Sequence, residues 1–204
     1  MLSKINGTAK LDKVSENKPV RRRRRSDADR SRTSILAAAV ALLDVQPDAG
    51  IERIAEAAQV TRQTVYAHFP SRDALLNAVL DELTAETVTA IDALALDQGP
   101  ALDQVLRVVD LAWRAFERHP LLLHLPQTAG QDERHDPVTE RLERLIRRGQ
   151  RAGDITRELP AHWLVTTLVA LGHAAGESVG AGRLSARTAN KTLHTTLTRL
   201  LQPT

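Results

Sequence analysis

Apolar residues recur at every third or fourth position through most of this 204-residue chain. Such spacing gathers them on one side of a helix, and the strict alternation typical of half-buried strands does not occur. The pattern therefore predicts an all-α fold. The predicted helices cover 34–43, 71–96, 101–118, 160–180 and 185–201, with two short helices inside 51–69 and another that ends before Gly153.

The segment 51–69 has the spacing of a helix-turn-helix. Ile54, Ala55 and Ala58 share one face of its first helix, and the small alanines allow a second helix to cross closely. Thr61 can cap that second helix, because its hydroxyl accepts hydrogen bonds from free backbone N–H groups. Pro70 ends it, since proline disfavours a helical conformation in the preceding residue. The residues predicted to fill the joint are Val60, Val65 and Phe69.

The outward face of the second helix carries side chains suited to DNA. These are Arg62, Gln63, Thr64, Tyr66 and His68. Arginine can bond guanine through two N–H groups and glutamine can do the same with adenine, while hydroxyl and imidazole groups can bond phosphate oxygens. A merely solvated face would more often carry Glu and Lys. This composition indicates a recognition helix.

Three stretches of sequence resemble the N-terminal region of the TetR family of transcriptional regulators. The family's first helix resembles SILAAAVALL at 34–43, its helix-turn-helix resembles IERIAEAAQVTRQTVYAHF at 51–69, and its connecting fourth helix resembles PSRDALLNAVLDEL at 70–83. The resemblance implies a three-helix helix-turn-helix DNA-binding domain over 27–72. A long helix would join it to a helical ligand-binding and dimerisation domain over 73–204.

The same resemblance implies a role for each residue of the recognition helix. Base contacts are expected from Arg62 and Gln63, with Thr61 beside them. The residues expected to hold phosphates on either side of the groove are Thr64, Tyr66, His68 and Arg72.

Two places depart from the family pattern. Gln59 occupies the turn position where the family usually has glycine, and a left-handed backbone costs a non-glycine residue about 1 kcal/mol. Ala49 and Gly50 stand, in a shortened loop, where a Thr or Ser pair often caps the second helix and touches DNA. No hydroxyl is available there for that contact.

Positive charge is concentrated at the start of the chain. Residues 1–30 hold ten Lys and Arg against four Asp and Glu, a net +6, whereas the rest holds 18 against 21, a net −3. Because apolar periodicity is missing, residues 1–26 are predicted to form a disordered basic arm. Arginine-rich arms can enter a minor groove and displace counterions, and the alternative is a solvated tail. The arm residues expected to contact DNA are Arg21, Arg22, Arg23, Arg24 and Arg25.

Composition narrows the class of protein. Hydrophobic residues make up 42% of the chain and cysteine is absent. Disulfides and thiolate metal sites are thereby excluded, which fits a reducing cytoplasm. No apolar run is long enough to span a bilayer, and the sequence has no P-loop, no HExxH zinc motif and no cysteine nucleophile. We therefore expect a cytoplasmic protein that is not an enzyme and has no metal, cofactor or membrane partner.

The helix predicted over 101–118 contains two of the chain's few aromatic residues. Its apolar stripe is typical of an ordinary core, whereas in TetR-like proteins this region commonly lines an inducer cavity. For the isolated His and Gln residues nearby, a structural hydrogen bond is the alternative to a ligand contact. The candidate contacts for a small apolar effector are Trp113, Phe116, His124, Gln127 and His173.

The last two predicted helices carry apolar stripes and two glycines that allow close approach of backbones. In TetR-like proteins two such helices from each subunit form a four-helix interface, so the resemblance implies a homodimer. The alternative is that both stripes close the core of their own domain. The candidate interface residues are Leu164, Leu168, Leu171, Gly172, Ala175, Gly176, Leu193, Leu197 and Leu200.

Together these features predict a ligand-responsive DNA-binding transcriptional regulator. By resemblance to the family, it is a repressor that binds a palindromic double-stranded DNA operator as a homodimer and is released by a small apolar molecule. Two recognition helices about 34 Å apart would enter successive major grooves. The alternative is a DNA-binding regulator or architectural protein without a small-molecule ligand, whose C-terminal domain only dimerises.

Overall fold

The computed structural model describes residues 18–124 and 136–203, with side chains described over 27–122 and 137–203. Helices and no strands occur in these residues, which confirms the predicted all-α class. None of the helices is long and apolar enough to cross a membrane over its described residues. They are α1 (Lys18–Leu43), α2 (Ile51–Ala57), α3 (Arg62–His68), α4 (Arg72–Asp92), α5 (Ala101–Arg118), α6 (Leu121–His124), α7 (Asp136–Ala152), α8 (Ala161–Gly180) and α9 (Ala186–Leu201).

The first helix begins earlier than the sequence pattern predicts. α1 starts at Lys18, so the five arginines at 21–25 belong to helical backbone and not to a disordered arm. Residues 1–17 of the predicted arm lie outside the described residues. Arginine and lysine have high helix propensity, and extending an existing helix adds one hydrogen bond per residue. Residues 18–26 therefore continue α1.

The N-terminal core holds α3 against three other helices. Leu83 of α4 and Leu121 of α6 belong to this core as well. The unit thus extends beyond residue 72, where the DNA-binding domain is predicted to end, because the first half of α4 covers the apolar side of α1. The fully buried side chains from α1 to α4 include Ile35, Ile54, Val65, Leu75 and Val79.

The C-terminal core is enclosed by α5, α7, α8 and α9, and the last turn of α4 adds Ile91 to it. α5 and α7 approach closely at Gly149, where a Cβ would lie 2.7 Å from Ile155 and 2.8 Å from Ala101. Any larger residue at this position would collide with them. With one end in each core, α4 has the linking position that the sequence predicts for it.

Several residues predicted for a dimer interface are buried inside the single chain. Leu164 and Leu197 are fully buried, and Leu168 and Leu193 are nearly so. Gly176 is also buried. The inward stripe of each helix is covered by the neighbouring helices of the same domain, so these five residues have no surface left for a partner. The candidates that stay partly exposed are Leu171, Gly172, Ala175 and Leu200.

The turn between α2 and α3 contains a left-handed residue that is not glycine. Gln59 has a φ of 56°. Its N–H donates to the Glu56 carbonyl at 3.0 Å, and the Val60 N–H donates to the Ala55 carbonyl at 2.9 Å. These two bonds form a Schellman motif, whose left-handed position usually holds glycine. The turn therefore keeps the expected geometry with a strained residue in it.

We predict that Gln59→Gly raises the free energy of unfolding by about 0.5 to 1 kcal/mol, because relief of the left-handed strain exceeds the added freedom of the unfolded chain. Urea unfolding monitored by circular dichroism measures this change. Gln63→Gly, in regular α3 backbone, is the matched control and should lower the free energy of unfolding by about 1 kcal/mol. A decrease for both variants would contradict the strain at Gln59.

Candidate nucleic-acid interface

α3 is positioned by a capped N-terminus and a buried inner edge. The Thr61 hydroxyl accepts a hydrogen bond from the Thr64 backbone N–H at 3.1 Å. The two threonine hydroxyls also lie 2.8 Å apart. On the inner side, Val65 is 0% exposed and Phe69 is 3% exposed. The cap at Thr61 and the inward positions of both apolar residues agree with the sequence prediction.

The outer side of α3 presents most of the predicted residues to solvent. Arg62, Gln63 and Tyr66 are exposed, whereas Thr64 and His68 are half-buried. The His68 ring lies 6.3 Å from the ring of Phe69, between the outer and inner sides. Among the predicted DNA contacts on α3, the exposed ones are therefore Arg62 and Gln63 in the first turn and Tyr66 one turn further on.

The guanidinium of Arg62 is held by two neighbouring side chains. Its Nη1 lies 2.7 Å from Glu52 Oε1. Its Nη2 donates to the Tyr66 hydroxyl at 3.3 Å, and its Cζ lies 5.3 Å from the centre of the Tyr66 ring. The hydrogen bond to Tyr66, and after it the charge of Glu52, raises the pKa of Arg62 above its ordinary value. The contacts with Glu52 and Tyr66 thus orient the Arg62 side chain in the absence of DNA.

Glu52 is a part of this site that the sequence pattern does not predict. It lies ten positions before Arg62 in the sequence, in the first turn of α2. Only the crossing of α2 and α3 brings the two side chains together. A carboxylate is not expected to bind phosphate, so the residue type of Glu52 does not indicate a place in a DNA-binding site.

Arg72, a predicted phosphate contact, is bonded to the loop that precedes α2. Its Nη2 donates to the Pro47 carbonyl at 2.8 Å and its Nε to the Ala49 carbonyl at 3.4 Å. Gly50 is the N-cap of α2 and makes no side-chain capping bond. The two bonds from Arg72 fix the loop before α2 against the start of α4. A phosphate contact by Arg72 remains a prediction.

The two domains are joined by a pair of polar contacts on Asp44, directly after α1. His119 Nδ1, at the end of α5, lies 2.9 Å from Asp44 Oδ2. The Leu121 N–H donates to Asp44 Oδ1 at 3.3 Å. The side chains of His119 and Asp44 are only 14% and 17% exposed. We call these contacts the Asp44 clasp. Asp44 and His119 lie 75 positions apart, so the sequence pattern does not indicate that they meet.

Two of the candidate ligand residues, Trp113 and Phe116, are in contact with each other. Trp113 is 4% exposed in the C-terminal core. Its indole N–H donates to Glu117 at 2.9 Å, and the half-buried Phe116 meets it edge-on at 6.3 Å. His173 is half-buried on α8. The side chain of His124 and all of Gln127 lie outside the described residues, so their ligand contacts stay predictions.

Two charged grooves open on the C-terminal domain. One, of about 640 Å³, lies between α5 and α9 and includes Asp110 and His194, whose Oδ1 and Nε2 are 2.8 Å apart. The other, of about 370 Å³, runs along α7. The aromatic candidates line neither groove. Within the described residues, no three His, Asp or Glu side chains lie close enough together to hold a metal ion.

Two arginines of α7 bond to groups at the end of α4 and in the loop that follows it. Arg141 forms two bonds with the Asp92 carboxylate, at 2.6 and 2.7 Å. These bonds hold the pKa of Asp92 below its ordinary value. Arg148 donates to the carbonyls of Leu96 and Gly99 at 2.5 and 3.2 Å. Both arginines thus fix the connection between α4 and α5.

Residues 35–79 match the sequence model described as bacterial regulatory proteins, tetR family. EthR from Mycolicibacterium smegmatis, an HTH-type transcriptional regulator, is 31% identical over 104 residues, which are 49% of this chain and 48% of EthR. The chain thus matches about half the length of this curated relative.

Solved structures share the fold over most of the chain. The fatty acid degradation regulator FadR from Bacillus halodurans has a TM-score of 0.70 at 17% identity, over 82% of this chain and 94% of FadR. The TetR-like regulator LfrR from Mycobacterium smegmatis has a TM-score of 0.61 at 26% identity, over 85% of this chain and 97% of LfrR. With its matched helix-turn-helix and this shared helical fold, the chain belongs to the TetR family of bacterial regulatory proteins.

Proposed function

We propose that this chain is a DNA-binding transcriptional regulator that binds a palindromic operator as a homodimer and is released by a small molecule. The exposed first turn of α3, with Arg62 held in place, carries the proposal. A guanidinium with free N–H groups can bond the two acceptors of guanine in the major groove, and Gln63 beside it can bond adenine. Repression is the expected outcome, since a dimer on its operator would block transcription.

The outer face of α8 and α9 is the proposed dimer interface, in place of the buried leucines. Trp163 is 55% exposed although it is a large apolar residue. One, two and three turns further along α8, the same face exposes Thr166, Ala170 and Ala174. A tryptophan among small residues is typical of the anchor of a protein interface. On α9, which packs against α8, the exposed residues include Thr188, Thr192, Thr195 and Arg199.

Unfilled space beside α8 supports a small-molecule site. Gly172 lies one turn from Leu168 and one turn from Gly176, both of which are buried. Among the described residues, a Cβ at Gly172 would meet no atom within 4 Å. Gly172 is itself half-buried, so this space is open to the surface of α8 and leaves room for a small molecule there. LfrR, which shares this fold, was solved in complex with proflavine, a small aromatic molecule.

The Asp44 clasp offers a route from the ligand to the DNA. It ties the end of α5 to the end of α1, and Leu121 beside it is buried in the N-terminal core. A ligand that binds better to one arrangement of the C-terminal domain shifts the population toward that arrangement. Because α5 is tied to α1, this shift would move the recognition helices apart or together and weaken operator binding.

A second candidate function is a DNA-binding regulator or architectural protein without a small-molecule ligand. The burial of Trp113 in the core favours it, because that side chain already has its packing and its hydrogen bond. Thermal unfolding against a library of small molecules separates the two candidates. Binding to the folded state raises the melting temperature with ligand concentration.

The DNA-binding function is tested by selecting duplexes from a random pool with the purified full chain. We expect two related half-sites whose centres lie one helical turn apart. Recovery of no preferred sequence would contradict the proposal.

We predict that Arg62→Ala weakens operator binding by about 1 to 3 kcal/mol and relaxes the base preference at one position of each half-site. Arg53→Ala removes an exposed charge of α2 and is the control; it should weaken binding to all sequences alike. Band-shift titrations on the selected duplex and on single-base variants measure both effects. An unchanged preference profile for Arg62→Ala would show that Arg62 does not read a base.

We predict that Trp163→Arg converts the dimer to a monomer, because a charge would be placed within the proposed interface. The single chain should fold normally, since this side chain is mostly exposed. Val45→Arg, which alters an exposed apolar residue of the N-terminal domain, is the control and should stay dimeric. Analytical ultracentrifugation gives the masses, and a dimeric Trp163→Arg variant would exclude this interface.

We predict that Asp44→Ala and His119→Ala each lower the free energy of unfolding by about 1 to 3 kcal/mol, because each leaves a half-buried polar partner without its bond. The loss of unfolding free energy in the double variant should be about 1 kcal/mol smaller than the sum of the two single losses. Either single change already breaks the contact between the two side chains, so the second change cannot break it again. Urea unfolding of the four proteins measures this coupling. Losses that simply add would show that the clasp does not join the domains.

A further inference from the structure

Glu52 is a carboxylate in the DNA-reading part of the molecule. It lies in the first turn of α2, and its side chain is 61% exposed. DNA phosphates repel a carboxylate, so its position next to α3 weakens general binding to DNA. Its contact with Arg62, at 2.7 Å, indicates a role that offsets this weakening of DNA binding.

Glu52 and Tyr66 hold different nitrogens of the same guanidinium. Nη1 of Arg62 is paired with Glu52, and Nη2 is bonded to the Tyr66 hydroxyl. The guanidinium also lies over the Tyr66 ring. An arginine has five N–H groups, so three remain for another partner. A long side chain that is otherwise free to rotate is thereby kept in one orientation with donors still available.

We propose that Glu52 is a specificity-determining positioning residue: it holds Arg62 in the orientation that reads one base pair of each half-site. The inference rests on the proposed DNA-binding function. Glu52 lowers the affinity for all DNA by its charge, and it raises the preference for the correct base by fixing its neighbour. Discrimination between sequences depends on the difference between the two affinities, which such a residue increases.

A carboxylate that merely competed with DNA for Arg62 would behave differently. Its removal would raise affinity for the operator and for altered sequences by one common factor. Removal of a positioning residue raises affinity for unrelated DNA while the ratio between correct and altered sequences falls. The ratio therefore separates the two roles.

Glu56 supplies the matched control. It lies one turn further along the same short helix, is also exposed, and its carboxylate faces Arg53 at 3.9 Å and not Arg62. Glu56→Ala removes the same charge from the same helix without touching the guanidinium. Glu52→Asp is the complementary variant, since it keeps the charge and withdraws the carboxylate by one methylene.

The experiment measures the affinity of the full chain for the selected duplex and for the same duplex changed at the base pair that Arg62→Ala identifies. For Glu52→Ala we expect this ratio to fall about threefold to tenfold, a fraction of the discrimination of one bidentate contact. Affinity for unrelated duplex should rise. Glu52→Asp should lower the ratio without that rise, and Glu56→Ala should show the rise with an unchanged ratio. Thermal unfolding of each variant checks that it is folded.

An unchanged ratio for both Glu52 variants would overturn the inference and leave the DNA-binding function intact. A ratio that falls equally for Glu56→Ala would also overturn it, because the effect would then come from charge alone. A wild-type chain without sequence preference would overturn the proposed function itself.

Discussion

The packing of α3 onto the N-terminal core is the interaction on which the rest of the structure depends. α3 has seven residues, and a helix of that length is not stable in water by itself. Val65 and Phe69, both almost completely buried, hold its inner edge against α1, α2 and α4. The Thr61 cap then satisfies its first turn. The recognition surface therefore exists only as part of the folded domain, and its precision comes from the core beneath it.

The helix-turn-helix departs from the family pattern at Gln59 and in the loop before α2, and hydrogen bonds fix the backbone at both places. Gln59 keeps the turn in its left-handed conformation, with both Schellman bonds formed. The loop before α2 lacks a capping hydroxyl, and Arg72 of α4 donates hydrogen bonds to two of its carbonyls. A capping hydroxyl would accept from backbone N–H groups, whereas Arg72 donates to carbonyls, so the arginine fixes the loop without replacing the cap. The geometry of α2 and α3 is thereby preserved.

The two domains share elements and do not merely touch. α4 has buried residues in both cores, and Leu121 of the C-terminal half is buried among N-terminal residues. The Asp44 clasp adds a half-buried polar contact at the same junction. A shift of α4 or of the end of α5 in the C-terminal bundle therefore acts directly on the N-terminal core. Such a connection suits a protein in which a structural change in one domain is transmitted to the other.

The sequence by itself determined the helices, the helix-turn-helix and the outward face of α3, because helical periodicity and capping residues such as Thr61 and Ser71 are local signals. It could not decide which apolar stripe of α8 faces the core. Leu164 and Trp163 are neighbours in sequence, yet the first is fully buried and the second is mostly exposed. It also could not find the contacts of Arg62 with Glu52, of Arg72 with the Pro47 carbonyl and of Asp44 with His119, since these residues lie 10, 25 and 75 positions apart. Only tertiary packing brings such groups together, and which charges meet depends on the crossing of whole helices.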